Sequence, residues 1–183
     1  MNLAWRSPVW CWPPLLLACS GCALSPQAFV DHPDRYGLFV ASTWLYADTP
    51  VTVQDADSGK IYAIQIKRIG NQRVTYLVQS LPPGHYYVYG VESYSGSPSS
   101  LKTGNGYFEV QADCFNYAGH IDLESMDQEQ PDLYSDQVSR ALGDMPADLR
   151  ALAKGRDICI SALGHASSRI PAAEARKLFG GEG

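Results

Sequence analysis

The chain is poor in several things that would have assigned it quickly. It has no apolar run long enough to span a bilayer: the longest such stretch, residues 9–18, is interrupted by Pro13 and Pro14 and is too short to cross a hydrocarbon core of ~30 Å as a helix. It has no surplus of positive charge. Lys and Arg number 14 against 19 Asp and Glu, for a net charge of −5, which argues against nucleic acid and against electrostatic adhesion to anionic lipid. The one Cys-x-x-Cys spacing, Cys19 to Cys22, lies at the end of the apolar N-terminal stretch; none occurs among Cys22, Cys114 and Cys159, and the four histidines (His32, His85, His120, His165) show no pairing at helical spacing, so a zinc site has no sequence support. Gly96-Ser97-Pro98 is not a nucleophile elbow, because Pro98 removes the amide that would line an oxyanion hole. Neither an internal repeat nor a coiled-coil heptad is found.

What the chain does have begins at its start. Arg6 provides a positive region, the apolar stretch follows, and Leu16-Leu17-Ala18-Cys19 closes it with a small residue before cysteine. This order reads as an export signal. The four residues resemble the lipobox of bacterial lipoproteins, in which the cysteine receives diacylglycerol and becomes the mature N-terminus. The resemblance implies lipidation at Cys19, with Cys22 after Ser20-Gly21 as the alternative acceptor. It also implies palmitate-type acyl chains as the membrane attachment, each buried methylene contributing about 0.8 kcal/mol. Ser20 rather than Asp after Cys19 implies delivery to the outer membrane, facing the periplasm. Loss of 18 residues would leave 165 with a net charge of −6, since Arg6 is the only charge removed; that is enough for one domain with a core. Cys11 would leave with the signal, and Cys22 would sit near the anchor. An oxidising export route therefore predicts that Cys114 and Cys159 pair as a disulfide.

From Tyr36 onward, short alternating runs rich in β-branched and aromatic residues predict strands. They cover residues 37–44, 51–53, 60–68, 74–79, 86–94 and 107–110. In the run from 115 to 123, Phe115, Tyr117, Gly119, Ile121 and Leu123 fall on one face and Asn116, Ala118, His120 and Asp122 on the other. That alternation predicts one buried and one wet face. Leu81-Pro82-Pro83-Gly84-His85-Tyr86, together with the Asp57-Ser58-Gly59-Lys60 hairpin, resembles turns of transthyretin-like (prealbumin-like) β-sandwich modules. The closing runs, Tyr107-Phe108-Glu109-Val110 and residues 117–123, are similar to those of small uncharacterised envelope lipoproteins. The fold expected is mainly β: an antiparallel sandwich with two or three short C-terminal helices. The division expected is a signal peptide at 1–18, a flexible tether at 19–35, the sandwich at 36–125, and a helical extension with a returning strand at 126–183. In that extension Leu133, Val138, Ala141 and Leu142 form one stripe, Pro146 opens a second helix that Gly155 ends, residues 156–163 return as a strand, and 171–179 form a last helix.

Chemistry is sparse. His120, Asp122 and Glu124 would share the wet face of one strand, a weak metal candidate that needs ligands from elsewhere. Asp55 with Asp57, and Glu124 with Asp127, are carboxylate pairs at turns and strand ends, where solvation suffices. The lysine that transthyretin-like surface modules use for isopeptide bonds has no counterpart in 37–44. The tyrosines Tyr86, Tyr87, Tyr89, Tyr94 and Tyr107 stand out. Alternation turns Tyr86 inward and Tyr87 with Tyr89 outward, either to contact a sugar or protein or to be covered by the helices. The function expected is a lipid-anchored, non-enzymatic binding or assembly module without cofactor, its partners an envelope protein or glycan. A metal-dependent or hydrolytic envelope enzyme and a structural spacer are the alternatives.

Overall fold

The computed structural model describes residues 25–44, 51–68, 74–92, 98–100, 107–121, 128–129, 140–161 and 167–179. Eleven strands, β1 (Gly37–Trp44), β2 (Val51–Asp55), β3 (Ile61–Arg68), β4 (Val74–Leu81), β5 (Gly84–Glu92), β6 (Pro98–Ser100), β7 (Phe108–Val110), β8 (Cys114–Ile121), β9 (Gln128–Glu129), β10 (Asp157–Ile160) and β11 (Ser168–Ile170), form one mixed sheet. Its order is β11-β10-β8-β1-β4-β3-β2-β5-β6, with β7 on β5 and β9 on β8. Among the described residues, three short helices, α1 (Pro26–Asp31), α2 (Ala147–Ala153) and α3 (Ala172–Leu178), and the helical residues 140–143 accompany it. None of the described helices is long and apolar enough to cross a membrane.

The sheet curls because β3 serves two neighbours in succession. Its first half, Ile61 to Ile64, pairs with β2, and its second half, Gln65 to Arg68, pairs with β4. Strands β2, β5 and β7 are thereby folded over β1, β4 and β8. The space enclosed is filled by Phe39, Leu77, Leu81, Tyr86, Val88 and Phe108 among others, with Phe39 and Phe108 stacked at 4.5 Å. On the opposite side of β1, β4, β8 and β10, the helical segments place Phe29, Leu142, Met145, Leu149, Ala153 and Ala175 over Leu38, Val40, Tyr76, Phe115 and Ile158.

The purely antiparallel sheet expected from the sequence is corrected: β8 runs parallel to both β1 and β10. The reason is burial on both faces. From Cys114 to Gly119 every residue of β8 is buried, as parallel strands with covering layers on each side are, so the wet face read from its alternation does not exist there. The alternation itself breaks at Gly119, whose φ of +79° marks a bulge, since Val40 faces Tyr117 whereas Ser42 faces His120. Phe115 and Tyr117 therefore join the helix-side cluster while Ile121 joins the enclosed one.

Residues 25–35 are not free tether. Phe29 is fully buried, and the Ser80 hydroxyl, also buried, donates to the Ser25 carbonyl at 2.7 Å and accepts from the Phe29 amide at 3.0 Å. The Arg156 guanidinium lies 4.4 Å over the Phe29 ring. What remains of the expected tether lies before residue 25, outside the described residues. Toward the other terminus, α2, β10 and α3 occupy the positions expected for two helices and a returning strand, and residues 140–143 are helical. Cys114 and Cys159 form the disulfide, with S–S 2.06 Å and Cα–Cα 5.9 Å, joining neighbouring strands β8 and β10.

Closure of the curl is made by side chains. The Glu109 amide of β7 donates to the buried Ser161 hydroxyl just past β10. Buried Asn116 of β8 accepts from the Gln111 amide at 2.8 Å and donates to the carbonyls of Gln111 at 3.0 Å and Cys114 at 2.8 Å. An edge strand is thus docked without a full ladder.

Candidate binding face

The outer face of β7, β5, β2 and β3 gathers the exposed aromatic groups, and the turns at its two ends determine which side chains appear there. In the hairpin between β2 and β3, one carboxylate oxygen of Asp55 accepts from the amides of Asp57 at 2.9 Å and Ser58 at 2.8 Å, an Asx turn. Gly59 completes the reversal at φ +69°. Asp55 is thereby occupied as a turn former. Before β5, the buried Tyr86 donates its hydroxyl to the Pro82 carbonyl at 2.8 Å. Burial pushes the Tyr86 phenol far above its ordinary range, and the charges of Tyr62 and Asp55 push it the same way, so it stays a neutral donor that fastens the turn. With Tyr86 held inside, alternation sends His85, Tyr87 and Tyr89 outward.

Register then assembles a row. Tyr87 stands opposite Gln54, and Gln54 opposite Ile61; on the other flank Tyr107, just before β7, meets Tyr87 edge to face with ring centroids 5.9 Å apart and planes at 86°. Tyr107 is 52% exposed and Ile61 41%. Gln54 holds the arrangement: its amide nitrogen donates to the Gly59 carbonyl at 2.7 Å, and its amide oxygen accepts from the Tyr87 hydroxyl. Tyr87 and Tyr89 are half-buried, and neither lies in a core cluster. The buried side chains of the helices all belong to the cluster on the other side of the molecule. Tyr94 lies outside the described residues. Gln54 and Ile61 escaped the sequence reading. The hairpin placed both on the outer side of their strands, but only the pairing of β2 with β3 and β5 aligns them with the tyrosines.

The remaining candidates come out differently. The bulge at Gly119 turns His120 toward Ser42, whose hydroxyl is 3.2 Å from its Nδ1. The same hydroxyl hydrogen-bonds Tyr117, whose phenol is pushed up to about 12 by burial and by Tyr76 against the lowering effect of that bond. Asp122, Glu124 and Asp127 lie outside the described residues, as do Cys19 and Cys22. Among the described residues no three His, Cys, Asp or Glu side chains converge as metal ligands. A polar cavity of about 260 Å³ is lined by Asp113, Lys154, Gly155, Arg156 and Asp157, and its charges are largely taken up within the fold. Arg156 pairs with Asp113 at 2.9 Å. Asp157 accepts from Arg169 at 2.6 Å and from the Ala172 amide at 2.8 Å, and those two bonds hold its carboxyl below the usual carboxylate range.

No protein family, curated protein or solved structure matches this chain. The functional reading therefore rests on the residues.

Proposed function

We propose that this protein is a lipid-anchored component of the bacterial cell envelope, attached through acyl chains at Cys19 and acting as a non-enzymatic binding module through the outer face of β7, β5, β2 and β3. The observation that carries the binding reading is the Tyr87–Tyr107 pair, held edge to face with Tyr107 half open to solvent. Aromatic side chains whose rotamers are already restricted lose little entropy when a partner covers them. The curl of β2, β5 and β7 over β1, β4 and β8, with a core between, supports the transthyretin-like sandwich as the finer description of the fold. The lipobox at 16–19 and the disulfide support an exported, oxidised location at the outer membrane facing the periplasm.

Two measurements test this. Cys19→Ser is expected to abolish acylation and move the protein out of the membrane fraction, while Cys22→Ser leaves both unchanged; mass spectrometry of the mature N-terminus and fractionation read the result. Normal processing and membrane partition in the Cys19→Ser/Cys22→Ser double variant would remove the anchor from the proposal. For the binding face, oxidative footprinting is expected to label Tyr107 several-fold less in intact envelopes than in purified protein reconstituted in lipid vesicles, with exposed Val30 on α1 labelled equally in both because the bilayer is present in both. Equal labelling of Tyr107 would sink the binding reading.

A further inference from the structure

Building on that reading, we infer that the occupant of the tyrosine row is an uncharged glycan chain, laid across β7, β5, β2 and β3 with its sugar rings on Tyr107 and Tyr87. The first argument is where the chain enters the domain. Ser25 is fastened to Ser80 and Phe29 is buried on the helix side of β4, whereas the row lies on the outer side of β5 and β2, beyond the second core. Cys19 and Ser25 are six positions apart, with five residues between them, a reach of about 20 Å. A lipid surface at Cys19 is therefore held near the helix side, and the row faces away from it. The bilayer itself is not the occupant.

The second argument is charge. The net charge is −5, and Tyr107, Tyr87, Gln54 and Ile61 place no cation in the row. A polyanion, whether a phosphate-bearing polymer or a sulfated sugar, meets repulsion there. The third is shape. The row crosses four strands, roughly 14 Å at about 4.8 Å per spacing, with Tyr89 two positions along β5 from Tyr87 adding to one side of it. Polar His85 and Glu109, paired across β5 and β7, border it. A globular protein partner needs a broad, desolvated apolar centre. A narrow track of aromatic and amide groups matches a linear polymer whose rings present apolar C–H faces and polar hydroxyl edges. The Gly59 carbonyl and Gln54 hold the Tyr87 ring in place before any ligand arrives.

The test uses the full-length acylated protein in detergent micelles, titrated by calorimetry with the N-acetylglucosamine tetramer, cellotetraose and maltotetraose, and with heparin as a polyanion. At least one neutral tetrasaccharide is expected to bind. Tyr107→Ala should weaken it about tenfold or more, while Tyr107→Phe retains binding, Val30→Ala leaves it unchanged, and heparin does not bind. Circular dichroism and a urea midpoint unchanged from wild type in Tyr107→Ala show that its loss of binding is not a loss of fold. Absence of binding by all three neutral sugars, equal binding by Tyr107→Ala, or preference for heparin would overturn the glycan assignment. If Tyr107 is nevertheless protected in envelopes, the binding face stands and its partner is a protein. If Tyr107 is unprotected, the underlying reading falls independently of the sugars.

Discussion

Gly37→Ala is expected to unfold the protein or to lower its stability by about 3–5 kcal/mol, a large share of the ~5–15 kcal/mol a domain possesses. A β-carbon at position 37 would sit 2.2 Å from the Gln111 carbonyl oxygen, 2.4 Å from the Asn116 side-chain nitrogen and 2.7 Å from a Val110 methyl. None of these has room to retreat. The Gln111 carbonyl is backbone. The Asn116 amide is buried and committed to Gln111 and Cys114. Val110 is packed in the enclosed core. Overpacking alone costs about 1–3 kcal/mol, and each buried polar group that loses its partner adds about 1–3 more. The same displacement would lift β7 from β8 and undo the docking of the curl. Urea unfolding of the purified variant measures the loss. Gly143→Ala is the matched control, because that helical glycine has nothing within 4 Å of an added β-carbon and the change is expected to be neutral or slightly stabilising. A Gly37→Ala variant within 0.5 kcal/mol of wild type would show that β7 is not docked as described.

Removing the disulfide, by Cys114→Ala/Cys159→Ala or by reduction, is expected to cost about 4 kcal/mol. The two cysteines are 45 residues apart in sequence, and closing a loop of that length restricts the unfolded chain by about this much in the entropic account. The consequence should be local before it is global. Beyond the cross-link, β10 keeps the parallel ladder to β8 and its pairing with short β11, and α3 rests partly on the bonds of Asp157 to Arg169 and Ala172. Those contacts are few and partly exposed, so the segment from β10 to α3 should open first. Hydrogen exchange is expected to rise there in the alanine variant while β1 and β4, paired along their full length, remain protected. A stability loss under 1 kcal/mol with unchanged exchange would contradict this account.

Strand positions were legible because period two survives wherever one face is polar, as in β3, where Tyr62 and Ile64 are buried while Ile61, Ala63 and Gln65 are exposed. The same reasoning failed in β8. A strand covered on both faces carries no polar face to betray it, and Gly119 hides a bulge that moves His120 and Ile121 to the opposite sides from those their spacing implied. It failed again at α1, since a helix of six residues has too little periodicity to read and is held by Ser80, 55 residues from Ser25 in the chain. At the candidate binding face, outward Tyr87 followed from alternation alone. Its partnership with Tyr107 and Gln54 did not, because one precedes β7 and the other lies in β2, strands that become neighbours of β5 only when paired.

By itself the sequence determined the mainly β character, the turns, the pairing of Cys114 with Cys159 and the inward and outward sides of β5, since these depend on backbone preference, the few cysteines available and the two-residue period of a strand. Tertiary structure alone decided that β8 runs parallel to β1 and β10, that β3 bends to close the sheet over a second core, and that Tyr107 just before β7 stands in one row with Tyr87, Gln54 and Ile61 of β5, β2 and β3. Those outcomes depend on which strands become neighbours and in what register, and strand order is set by long-range burial that no local pattern encodes.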